Sequence, residues 1–172
     1  MVDALPFDED SRHSVLSTLH DGIPYSVELG DRLAEIEDMI VKSSATLRIT
    51  SDSMSASDIT EILGAAPESS FERGDLVSAR SAKPSYRKSA MWSWSGAIAD
   101  IQPLGEHLMA ICDFLEERKD KLPVLADCKI DVFCGVFSDN EQIGFDIDHQ
   151  VIGLLADYPV DVNFDAYGNY GG

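Results

Sequence analysis

"CKIDVFCGVF", residues 128–137, alternates with a period of two. Cys128, Ile130, Val132, Cys134 and Val136 share one face, while Lys129, Asp131, Phe133 and Phe137 take the other. This is the pattern of a strand with one face on a core and one face toward water. Toward the C-terminus, "VDVNFDAY" (160–167) alternates in the same way and directs Val160, Val162, Phe164 and Ala166 inward. Between the two, "IGFDI" (143–147) reads as a further strand with Ile143, Phe145 and Ile147 inward. "DHQVIGLLADYP" (148–159) reads as a short helix, with Asp148 as its N-cap.

Toward the N-terminus, Leu104, Leu108, Ile111 and Leu115 form a helical stripe that Pro103 opens and Pro123 closes off. Residues 68–95 read as short strands and turns ending in "AMWSWSG", where Trp92 and Trp94 fall on one side of a strand. In "SASDITEILG" (55–64), Ser55 and Asp58 form a capping box and Gly64 suits a left-handed exit. "ATLRITS" (45–51) is again a strand, with Ala45, Leu47 and Ile49 on one face. Before it the period is helical: Val15, Leu16, Leu19 and Ile23, then Leu29, Leu33, Ile36 and Ile40, with Gly22 and Pro24 between.

These elements predict an α+β fold, an antiparallel-dominated sheet with helices packed on one face. "RITSDSMSASDITEILG" and "GFDIDHQVIGLLADYP" share the plan of a strand entering a capped helix, so two pseudo-duplicated β-α-β halves are expected. The domain reading is an N-terminal helical extension over 1–44, a core over 45–167 and a flexible tail over 168–172.

Several function classes are disfavoured by composition. The formal net charge of −18 on 172 residues repels duplex nucleic acid and anionic membrane, and would speed encounter with a basic partner. Adaptation to high salt would give the same acidity. No apolar run approaches the roughly 20 residues of a membrane helix, and the acidic start lacks the order of a signal peptide, so a cytoplasmic protein is expected. The three cysteines, Cys112, Cys128 and Cys134, fit no zinc or redox spacing.

At this point the ordered set resembles a known family. A strand like "ATLRI", a helix like "ASDITEILGAAP", a following "FERGD", the "WSWSG" segment and the ending "GFDIDHQVIGLLADYPVDVNFDAY" are similar to the bacterial DUF4279 family, a domain of unknown function, over about residues 45–167. The resemblance implies a bacterial α+β domain and carries no catalytic residue.

Three stretches could carry function. "SDNEQIGFDIDHQ" (138–150) concentrates acids around Gly144, but aligned as a calcium loop it puts Ile143 and Gln150 where ligands are required. A turn followed by a helix cap is the better reading, and no metal or cofactor is implied. "RGDLVSARSAKPSYRK" (73–88) holds five of the 13 basic residues, and Arg73, Arg80, Lys83 and Arg87 could grip a small anion or phosphorylated ligand. A solvated basic hairpin offsetting the acidic field is the simpler alternative. The outward sheet face presents Arg48, Asp131, Phe133, Phe137, Asp146, Asp161, Asn163, Asp165 and Tyr167. Aromatics among acids suit a surface for a basic protein, with Asp131, Phe133, Phe137, Asp161, Asp165 and Tyr167 as the expected contacts. The N-terminal helices covering that face, or driving self-association, are the alternatives. No catalytic signature is present, so the leading expectation is a non-enzymatic binding protein, with an immunity protein as one concrete form.

Overall fold

The computed structural model describes residues 40–78, 80, 83–139 and 143–168. All of them belong to the unit formed by residues 35–172. The expected helices before residue 40, the tail from 169 and residues 140–142 of the acidic loop lie outside the described residues. Among the described residues no helix is long and apolar enough to cross a membrane.

Among the described residues five strands form one sheet. They are β1 (Ile40–Ser51), β2 (Ser69–Phe71), β3 (Ala90–Trp94), β4 (Lys129–Ser138) and β5 (Asp161–Gly168), in the spatial order β2-β3-β1-β4-β5. β1 runs antiparallel to both its neighbours, β3 and β4. β4 and β5 are parallel, joined by a crossover that contains a helix. The sheet is therefore mixed: three of its four pairings are antiparallel, as the antiparallel-dominated reading expects, and the β4–β5 edge is parallel. β1 and β3 are antiparallel while β4 and β5 are parallel, so the two halves share a capped helix but not a pairing.

The core lies on one face. Ala45, Leu47 and Ile49 of β1, Trp92 of β3, and Ile130, Val132, Cys134 and Val136 of β4 are all buried in one cluster. Among the described residues three α-helices and a 3-10 turn at Leu122–Leu125 supply the other half; the α-helices are α1 (Ala56–Leu63), α2 (Leu104–Glu116) and α3 (His149–Ala156). Leu104, Leu108, Ile111 and Leu115 of α2 are buried there, as the stripe predicts. Truncating a leucine such as Leu108 to alanine would cost about 2–5 kcal/mol. Trp94 packs on Phe114 with ring centres 4.2 Å apart, and Trp92 lies 5.9 Å from the same ring, so both tryptophans serve the core.

Local chemistry sets the helix ends. The Asp58 N–H donates to Ser55 Oγ (3.0 Å) and the Ser55 N–H donates to Asp58 Oδ2 (2.9 Å), closing the expected capping box. Gly64 leaves α1 at φ +65°, a conformation that favours glycine. Asp148 caps α3 by accepting from the Gln150 N–H at 2.7 Å.

Three boundaries differ from the sequence reading. β1 begins at Ile40, so residues 40–44 are strand rather than the end of a helix; with Ser43 buried, the alternation continues through small polar residues that hydropathy does not register. "IGFDI" has the expected facing, since Ile143, Phe145 and Ile147 pack against the core, yet it joins no strand. Lastly, β5 is an edge strand, so Phe164 is 45% exposed and Ala166 is exposed, although both lie on the inward side.

Candidate functional site

Strand register assembles the outward face. Across β1 and β4, Arg48 lies opposite Asp131 and Thr46 opposite Phe133. Across β4 and β5, Asp131 lies beside Asp161, Phe133 beside Asn163, Gly135 beside Asp165 and Phe137 beside Tyr167. Residues about 30 positions apart in sequence thus become one surface. Asp146 is not part of it, because its segment stays outside the sheet.

The face has two zones. In the first, Asp131 is buried (3% exposed) and accepts from Arg48 Nε at 2.6 Å, with Lys129 Nζ 3.8 Å away. The Arg48 guanidinium also lies 4.6 Å from the centre of the half-buried Phe133 ring. Asp131 and Phe133 are therefore committed to interactions within the sheet. In the second zone the rings of Phe137 and Tyr167 stack with centres 5.0 Å apart and 8° between planes, while remaining 41% and 51% exposed. The Tyr167 hydroxyl donates to Asp165, and this bond raises the phenol above its ordinary pKa. Asp161 and Asn163 are exposed further along β5, beside Asp131 and Phe133 of the first zone.

Gly135 makes this second zone possible. A Cβ at that position would come within 3.1 Å of Ser44 Oγ and 3.3 Å of the Phe137 ring. With only hydrogen there, the Phe137 ring can lie across the strand next to Tyr167. Alternation alone marked the face; the glycine between two phenylalanines in "FCGVF" is the signal that could have located the aromatic pair.

On the inward side β5 borders an apolar hollow of about 530 Å³, lined among others by Ile147, Ile152, Leu155, Val160, Val162 and Phe164. Phe145 stacks on Phe164 at 5.2 Å, a contact that the expected pairing of "IGFDI" hid.

The basic stretch is built differently. It is hairpin-like, with Gly74 N–H donating to the Arg87 carbonyl (2.9 Å) and Val77 N–H to that of Ser85 (2.8 Å). Arg73 donates to the Asp52 carbonyl (3.0 Å) and Arg87 lies 3.9 Å over the Phe71 ring. Both guanidiniums thus have work at the hairpin's base. The backbone N–H of Arg80 bonds Ser78 Oγ (3.2 Å), and Lys83 has an interaction of its own. Among the described residues no group of three or more His, Cys, Asp or Glu is placed to hold a metal. His107 is buried on α2; burial holds it below its ordinary pKa, hydrogen bonds to the Gln102 and Ala99 backbone oppose this, and Nε2 meets no partner among the described residues.

The family model described as "Domain of unknown function (DUF4279)" matches residues 41–169. The chain belongs to this family. The match begins one residue into β1 and runs one residue past β5, so it spans all of the sheet of this DUF4279 domain except Ile40. No curated protein and no solved structure matched the chain.

Proposed function

We propose that this DUF4279 domain is a non-enzymatic acidic binding module that engages a basic protein through the outward face of β4 and β5. The observation that carries this reading is the stacked, half-exposed Phe137–Tyr167 pair beside Asp165, on the same strand face that carries the exposed Asp161. Exposed aromatics rimmed by charge are the composition of a binding hot spot, and a net charge of −18 would steer a cationic partner toward it. Asp161 and Asp165 supply the contact charges, whereas Asp131 acts from beneath by fixing Arg48 and, through it, Phe133. Neutralisation of a basic toxin is one concrete form of this role. The engagement of Arg73 and Arg87 within the hairpin weighs against the anion-binding alternative.

The test is a pull-down from the native organism at low and at physiological salt, with wild type and the Asp161→Lys/Asp165→Lys double variant side by side. A basic protein held by wild type at both salts and lost by the variant is the expected result. Equal recovery by both proteins would remove this face as the binding surface.

A further inference from the structure

We infer that the edge of β5 left unpaired among the described residues accepts an extended segment of the basic partner as a sixth strand, and that this segment alternates basic and apolar side chains. The inference rests on the basic-partner reading above and specifies its geometry.

Four observations converge. First, the two sheet edges differ: β2 offers three residues, whereas β5 offers eight, and among the described residues β5 pairs only with β4. A long edge presents a row of backbone donors and acceptors that can template another strand. Second, β5 is itself two-sided. Asp161, Asn163 and Asp165 project to the outward face, and Val162, Phe164 and Ala166 to the other. Third, an added strand places its own alternate side chains beside those of β5, because side-chain period and sheet spacing are shared. Its outward residues would flank Asp161 and Asp165, and basic side chains would complement them. Its inward residues would pass over the exposed Phe164 and the hollow of about 530 Å³ that reaches Ile147 and Ile152. Fourth, a second copy of this chain is a poor occupant, since it would set Asp161 and Asp165 near like charges on a molecule of net charge −18. Backbone pairing would supply affinity and the alternation would supply register, the mode by which extended peptides add to sheets.

The experiment uses the full chain and three synthetic octapeptides of equal composition and charge, read by fluorescence anisotropy. One alternates Lys and Val. The second carries the same residues as a Lys block followed by a Val block. The third is the alternating peptide with every second backbone amide N-methylated. The alternating peptide should bind at least about tenfold more tightly than either control, a difference of about 1.4 kcal/mol. Asp161→Lys/Asp165→Lys should abolish that preference. Equal binding of all three peptides, weakened equally by the charge reversal, would overturn strand addition while leaving the acidic face as a binding surface. No binding by any of them, with no effect of charge reversal, would overturn both readings. A dimer by light scattering that the alternating peptide neither binds nor dissociates would overturn the inference in favour of a second copy at this edge.

Discussion

Arg48 and Asp131 stand opposite one another on β1 and β4, joined at 2.6 Å, with side-chain exposures of 30% and 5%. The pair is unequal in burial, so its two halves should differ in cost when removed. Arg48→Ala leaves a buried carboxylate with only Lys129 at 3.8 Å and should destabilise by about 3 kcal/mol. Asp131→Asn leaves a partly solvated guanidinium and should cost less, about 1–2 kcal/mol. Urea unfolding of both variants would check the order, and equal costs would contradict the unequal burial.

Gly135→Ala is expected to act on the exposed face rather than the core. The new methyl would press on Ser44 and the Phe137 ring, costing about 1 kcal/mol and separating Phe137 from Tyr167. In a Phe137→Leu background much of that cost should vanish. The measurement is a double-mutant cycle by urea unfolding, in which additivity would contradict the contact.

His107 should make stability sensitive to mild acid. Its pKa in the folded chain lies below the ordinary 6.5, so on acidification the unfolded chain takes up the proton first. Stability is therefore present above the unfolded value and declines as pH falls through about 6.5, by at most about 1.4 kcal/mol per pH unit. His107→Asn removes this titration while leaving the carboxylates in place. Unfolding curves from about pH 8 to about pH 5 should show the variant losing less stability than wild type. Parallel curves would place the pH dependence elsewhere.

Ser55→Ala opens the capping box of α1 and should cost about 1 kcal/mol, because the Asp58 N–H loses its acceptor. Ser55→Thr restores a hydroxyl that can accept from the Asp58 N–H and donate to the Asp58 carboxylate, and should recover most of the loss. Thermal melts of the two variants would decide it, and an unchanged Ser55→Ala midpoint would show that the box is dispensable.

What could be read from sequence followed burial. The stripe Leu104, Leu108, Ile111, Leu115 and the alternation from Ile130 to Val136 were legible because those side chains meet the core at the natural period of their element. β1 before Ala45 was not, since Ser43 occupies an inward position without being apolar. The parallel pairing of β4 with β5 was also hidden: alternation specifies faces, not strand direction. On the outward face of β4 and β5, alternation marks which residues share the face but not how burial divides them. Asp131 and Asp161 have the same chemistry in sequence, and only register sets one beneath Arg48 and leaves the other exposed.

The place of β1 between β3 and β4 has a consequence for biosynthesis. Arg48 must wait for a partner 83 residues further along the chain. At ordinary translation speeds that is on the order of ten seconds during which β1 lacks its β4 neighbour on the ribosome. From Ala45 onward, Leu47 and Ile49 alternate with Thr46, Arg48 and Thr50 in that strand, so its apolar residues do not run consecutively there. Such spacing lowers the hazard of misassociation while the nascent chain waits.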